Sequence, residues 1–127
     1  MNSVRVFLTK WVARYTRRED IALASIREAV ARAENGLIDA ELGGGLIKQR
    51  VARLGKGRSG GYRMVLAYRR KDRAAFLLAF SKNEQDNITA NELKSTREIA
   101  ARLLGMNAAE LQRAVVKGEI EEVPYES

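Results

Sequence analysis

The chain has 127 residues, of which 46% are hydrophobic, and a formal net charge of +7 at pH 7. This length predicts one domain, and this apolar fraction excludes a disordered basic tail. Cysteine and histidine are both absent, which excludes disulfides, thiolate zinc sites, cysteine nucleophiles and the usual general base near neutral pH. We expect no metal and no cofactor, and any catalysis has to rely on Lys, Arg, Tyr, Ser, Asp or Glu.

The sequence shows no sign of a membrane or secreted protein. It has no run of about 18 or more apolar residues, the length that spans a bilayer. Its N-terminus lacks the separate apolar segment of a secretory signal. We therefore expect a cytoplasmic protein with no membrane partner.

Hydrophobic periodicity and capping residues predict eight elements in the order β-α-α-β-β-β-α-α. In chain order they are a strand at 4–8, a helix at 10–17 capped by Thr9, a helix to 34 capped by Asp20 and ended by Asn35-Gly36, strands at 46–53, 62–69 and 74–80, a helix from a Thr89 capping box to Leu104, and a short helix at 107–117. Residues 37–45 are expected to form a loop and 70–73 a hairpin turn. The apolar run at 74–80 is expected to lie centrally in the sheet.

This order indicates an α+β fold, with two N-terminal helices and a C-terminal helix packed on a small, mainly antiparallel sheet. We expect a single domain over residues 1–118, followed by a loose acidic tail at 119–127. In the strand at 46–53, Ile47 and Val51 alternate with Lys48 and Arg50, so the two basic side chains are expected on one face.

Positive charge is concentrated between Gly44 and Lys82. Eleven basic residues and one acidic residue lie there, giving +10 and leaving the rest of the chain at −3. Such segregation favours a polyanionic partner, above all nucleic acid. At its centre, the residues of 55–63, G-K-G-R-S-G-G-Y-R, alternate cations with glycines that let the backbone approach a phosphate. The spacing is neither a P-loop nor a dinucleotide motif. An ordinary solvated face stays open as the alternative, although surfaces normally mix both signs of charge.

These residues also suit the cleavage of RNA by its own 2′-hydroxyl. Arg63 is suited to stabilise the phosphorane-like charge, because a guanidinium binds two phosphate oxygens and stays protonated. Like charges nearby make an ammonium easier to deprotonate, so Lys56 and Lys82 are candidates for base or acid. Glu84 is a second base candidate, and a role in a cap or turn is equally open for it. Tyr62 is the least secure core residue among the aromatics.

Two ordered segments resemble the RelE/HigB group of bacterial toxins. They are G-R-S-G-G-Y-R-M-V at 57–65 and, after a hydrophobic strand, F-S-K-N-E at 80–84. The resemblance is closest to the HigB-like branch and covers roughly residues 44–98. It implies a RelE-like fold and a ribosome-dependent mRNA endoribonuclease, a toxin that inhibits translation. It also implies a cognate antitoxin, with a helix-turn-helix DNA-binding domain, that covers the basic site.

The resemblance also implies roles for particular residues. Arg63 matches the arginine at the scissile phosphate, and Lys82 matches the lysine of the later segment. Asn83 stands where some relatives have arginine, and Tyr125 is too isolated to match a C-terminal catalytic tyrosine. We therefore expect a catalytic set of Arg63, Lys82, Lys56 and Glu84, and an RNA-binding set of Lys48, Arg50, Arg53, Arg58, Tyr62 and Asn83.

Two alternatives remain on the same fold. One is a non-catalytic inhibitor, either RNA-binding or a ParE-like inhibitor of gyrase, and the other is a plain RNA-binding module. The paired Arg63 and Lys82 segments favour the endoribonuclease over gyrase inhibition, because gyrase inhibition does not require phosphate chemistry at this site.

Overall fold

The computed structural model describes residues 4–53 and 57–125, with the backbone alone at 57–59. The chain forms an α+β fold, as predicted. Its elements are β1 (Arg5–Thr9), α1 (Lys10–Arg18), α2 (Leu23–Glu34), β2 (Ala40–Gly43), β3 (Leu46–Arg53), β4 (Gly57–Arg69), β5 (Arg73–Ser81), α3 (Ala90–Leu104), α4 (Ala108–Val116) and β6 (Ile120–Val123). No helix in the described ranges is long and apolar enough to cross a membrane.

The strands form one mixed, mainly antiparallel sheet in the order β2-β3-β4-β5-β1-β6. Only β1 and β5 run parallel among the described pairings. β5 lies inside the sheet and is buried along most of its length, which confirms the prediction from its continuous apolar run.

The core has one layer on each face of the sheet. On one face α1 and α2 pack against side chains such as Tyr62, Met64 and Leu66 of β4. On the other, α3 and α4 pack against the alternate residues Val65 and Ala67. The period-two alternation of a strand therefore sends neighbouring residues of β4 into different layers.

Local capping signals account for most helix boundaries. The side chain of Thr9 accepts a hydrogen bond from the amide of Val12 at 3.4 Å. Thr89 and Glu92 form the predicted capping box. α2 ends at Asn35 and Gly36, and Gly36 has a φ of 81°, as its left-handed cap requires.

The predicted helix cap at Asp20 is wrong. Asp20 has a φ of 55° and belongs to the end of α1, where the amide of Ile21 donates to the carbonyl of Thr16 at 2.8 Å. This pairing is a Schellman motif, in which a residue just beyond the helix takes the left-handed conformation. α2 consequently begins only at Leu23, and its N-cap, Ala22, makes no side-chain cap bond.

Two short strands lie where the sequence predicts none. β2 forms within the expected loop at 37–45, and β6 within the acidic end, so the expectation of a loose tail is wrong for residues 120–123. Both strands lie at edges of the sheet. β6 pairs antiparallel with β1, and an ion pair joins Arg5 to Glu122 at 2.8 Å. Tertiary pairing here outweighs the weak strand propensity of the segments.

Candidate RNA-binding and catalytic site

Two arginines stand side by side on neighbouring strands. Arg50 of β3 lies directly opposite Arg63 of β4, and Phe80 of β5 flanks Arg63 on its other side. Paired residues share a face, so both arginine side chains emerge on the side of the sheet that α3 partly covers. Among the described residues neither guanidinium makes an ion pair. Like charges directly opposite destabilise a sheet, which fits a site where an anion sits between them.

Lys48 extends this group along β3. It lies two residues before Arg50 and therefore on the same face, and its Nζ donates to Oδ1 of Asn87 at 3.1 Å. The segment after β5 consequently reaches across the sheet to β3. We call Lys48, Arg50 and Arg63 the basic face.

Lys82, Asn83 and Glu84 form an exposed turn directly after Ser81, the last residue of β5. The strand register brings this turn next to the basic face, because Phe80, two residues before Lys82, is the partner of Arg63. Two segments separated by nearly twenty residues in the sequence thus meet at one end of the sheet. Arg53, the last residue of β3, is exposed at the same end.

The glycine-rich segment is a strand over part of its length. β4 begins at Gly57, five residues before the predicted start. Lys56 lies outside the described residues, and so does the side chain of Arg58. At Gly61, an added Cβ would lie 2.1 Å from the carbonyl oxygen of Val51. No side chain fits at that separation, so glycine lets β4 press against β3 directly beside Arg63.

Tyr62 belongs to the core rather than to the basic face. Only 2% of it is exposed, and its ring packs edge-on against Tyr15 of α1 with 5.8 Å between centroids. Its hydroxyl donates to Glu19 at 3.2 Å. Burial, followed by that bond, raises the pKa of Tyr62. The ring points away from Arg63, so it offers no face on which an RNA base could stack.

The carboxylate of Glu84 is hydrogen-bonded to a residue of α1. Its Oε1 accepts one hydrogen bond from the hydroxyl of Tyr15 and another from the amide of Ser81 at 2.8 Å. The bond from Tyr15 is the main reason that the pKa of Glu84 is lowered. Burial and the same bond raise the pKa of Tyr15.

Tyr15 and Asn87 are two site residues that the sequence alone does not indicate. In the sequence, Tyr15 lies four residues after Trp11 in the helix predicted at 10–17, and Asn87 lies in a polar segment. Both contacts are long-range, since Tyr15 and Glu84 are 69 residues apart and Lys48 and Asn87 are 39 apart. No local pattern encodes such pairings.

Comparison with known protein families matches residues 4–123 to the family described as the RelE toxin of the RelE / RelB toxin-antitoxin system. No curated protein matches the chain. The matched range includes β1 and β6, and with them the whole described sheet. The chain therefore belongs to the RelE family of toxins from toxin–antitoxin systems.

Proposed function

We propose that this RelE-family toxin is a ribosome-dependent endoribonuclease that cuts mRNA. The observation that carries the proposal is the cross-strand pair of Arg50 and Arg63, without ion-pair partners among the described residues and flanked by Lys48. The fold places like charges together at a cost in stability. A phosphate bound between them would remove that repulsion.

Arg63 is the proposed contact to the scissile phosphate. It is half-buried between β3 and β5, so its backbone is held on both sides. A guanidinium on such a backbone can meet two phosphate oxygens with little reorganisation as charge develops in the transition state. Arg50 and Lys48 would bind neighbouring phosphates and set the register of the RNA.

Proton transfer is assigned to the lysines. Lys82 is exposed at the edge of the basic face, and Lys56 follows β3 in the sequence. General acid–base catalysis typically contributes about 10²–10⁴-fold, and a lysine is a poor substitute for histidine near neutral pH. We therefore expect slow cleavage of free RNA. The ribosome would supply the missing rate by orienting the 2′-hydroxyl for in-line attack.

The family also implies an antitoxin partner. We propose that this partner carries a helix-turn-helix DNA-binding domain and is acidic where it covers the basic face. Charge complementarity would speed its association and exclude RNA from the same surface.

A cleavage assay tests the proposal. The purified toxin is incubated with naked mRNA and with mRNA on ribosomes whose decoding site is open, and the new 5′ ends are mapped. We expect the parent toxin to cut mRNA only on ribosomes, and we expect Arg63→Ala to lose most of this cleavage. Arg113→Ala, an exposed arginine on α4, is the matched control and should cut like the parent. Intact mRNA in both reactions, with an active relative run alongside, would refute the enzyme proposal and leave binding or gyrase inhibition. Efficient cutting of naked RNA would refute the dependence on ribosomes.

A further inference from the structure

The ring of Tyr15 is fixed on several sides. Trp11 stacks on it with 5.4 Å between centroids and 21° between planes, and the guanidinium of Arg18 lies 5.0 Å from its centroid. Tyr62 meets it edge-on. With only 2% of Tyr15 exposed, its hydroxyl has one well-defined position, and that hydroxyl donates to Glu84.

Glu84, itself exposed, closes the turn after β5 through its carboxylate. One atom, Oε1, accepts from both the Tyr15 hydroxyl and the Ser81 amide. The backbone amides of Glu84 and Gln85 each donate to the Ser81 carbonyl at 3.1 Å. Lys82 and Asn83 are the two exposed residues in the middle of this turn. The direction of their side chains therefore depends on how firmly Glu84 is held.

The same contacts make Glu84 unsuitable as the base. One of its two carboxylate oxygens, Oε1, accepts from two donors, and the bond from Tyr15 favours the ionised, less basic carboxylate. Tyr15 packs on Tyr62, and the side chain of Tyr62 lies on the face of β4 opposite to Arg63. The carboxylate is thus anchored on the α1 side of the sheet, away from the proposed phosphate contact.

We infer that Glu84 is a positioning residue: it ties the turn that carries Lys82 and Asn83 to Tyr15 of α1, and it takes no proton from the RNA. We call Tyr15, Glu84 and Ser81 the turn clamp. Its effect on cleavage rests on the proposed function, whereas its effect on the turn does not.

The chain contains a second site of the same design, which serves as a control. The hydroxyl of Tyr68 donates to Glu34, and Glu34 also accepts from the amide of Lys71 at 3.0 Å. This site holds the hairpin between β4 and β5, at the other end of the strands. Tyr68→Phe therefore removes the same kind of bond without touching the turn at 81–85.

Two measurements on the full-length toxin test the inference. The first is hydrogen exchange of the amides of residues 81–85 in the free protein. Tyr15→Phe should raise local opening there by roughly tenfold or more, the usual weight of a hydrogen bond to a charged group. Tyr68→Phe should leave these amides unchanged.

The second measurement is single-turnover cleavage on programmed ribosomes as a function of pH. Glu84→Gln should stay within about threefold of the parent with the same pH profile, because an amide oxygen still accepts from both donors. Glu84→Ala should lose on the order of 10²-fold and Tyr15→Phe roughly tenfold, through misplacement of Lys82. The variant that combines Tyr15→Phe with Glu84→Ala should cleave as fast as Glu84→Ala alone, since the two residues act as one unit.

A general base predicts a different pattern. Glu84→Gln would then lose about 10²–10⁴-fold and the acidic limb of the pH profile would disappear, while Tyr15→Phe would cut normally. That result would overturn the inference, as would unchanged exchange at 81–85 in Tyr15→Phe. If the parent toxin cuts nothing on ribosomes, the proposed function fails, and the exchange data still decide whether the clamp exists.

Discussion

Replacing Arg50 by Gln should stabilise the protein while weakening its binding to RNA. Arg50 lies directly opposite Arg63 and makes no ion pair within the described ranges, although its charge helps to lower the pKa of Asp39, an attraction that offsets part of the repulsion. Opposed like charges in a sheet cost about 0.2–1 kcal/mol, and Gln removes the charge while keeping part of the aliphatic stem. Because Arg50 is exposed, little packing is lost. We expect the free energy of unfolding to rise at low salt by at most about 1 kcal/mol, the upper end of cross-strand pair energies.

Urea denaturation at low and at high ionic strength measures this gain. Screening shortens the reach of the repulsion from ~10 Å at 0.1 M salt to ~3 Å at 1 M, so the gain should shrink as salt is added. Binding to single-stranded RNA should weaken, and the slope of its salt dependence should fall by roughly 0.7 for one lost phosphate contact. Arg113→Gln is the matched control: Arg113 follows Glu110 by three residues on α4, so losing it should give no stabilisation.

Three results would refute parts of this reasoning. A Gln variant that is less stable than the parent at low salt would mean that the attraction between Arg50 and Asp39 outweighs the repulsion between Arg50 and Arg63. A gain of equal size at every salt concentration would mean that the stabilisation is not electrostatic. An unchanged salt slope for RNA would remove Arg50 from the RNA-binding surface.

Three further predictions follow from the geometry. Gly61→Ala should lower the free energy of unfolding by about 2 kcal/mol or more, because its Cβ would meet the Val51 carbonyl oxygen at 2.1 Å. Urea denaturation measures this loss, and a variant as stable as the parent would contradict the prediction. Arg63→Lys keeps the charge but loses the bidentate fork, so single-turnover cleavage should fall by roughly 10²–10³-fold, with thermal melting as the control for folding. The pKa values of Tyr15 and Tyr68 are higher in the folded protein than in the unfolded chain, where a tyrosine pKa is about 10. This difference contributes its full stability below that pH and progressively less as pH rises above it. Stability measured from neutral to alkaline pH should fall above that value, and it should fall more gently in Tyr15→Phe and in Tyr68→Phe. A fall as steep as the parent's in both variants would contradict the assignment.

Local signals were enough to predict the elements that build the basic face. The strand at 46–53 has the predicted bounds. It was predictable because Ile47 and Val51 alternate with Lys48 and Arg50, the pattern of a strand with one apolar and one polar face. The continuous apolar run of β5 predicted a buried strand. The capping box at Thr89 marked the start of α3. In each case short-range chemistry and tertiary packing require the same structure.

The features that the sequence did not predict depend on the structure around each residue rather than on the residue type alone. Asp20 is a residue type common at helix N-caps, yet it completes the C-terminal end of the preceding helix. β6 has little strand propensity and forms because β1 offers an unpaired edge. From the sequence, Glu84 suits a base and a turn residue equally well, and only its hydrogen bond from Tyr15 in the fold distinguishes the two roles. Local pattern predicts which residues can do the chemistry, and only the fold shows which way each one is turned.

The segment Gly61-Tyr62-Arg63 illustrates how one strand can serve both faces of the sheet. Gly61 allows β4 to lie against the Val51 carbonyl, and Tyr62 packs on Tyr15 on the α1 side. Arg63 emerges on the opposite side, beside Arg50. Because a strand alternates strictly, a shift at either of the first two positions moves Arg63 as well. Substitutions at Gly61 and Tyr62 should therefore impair cleavage through the position of the guanidinium, without either residue contacting RNA.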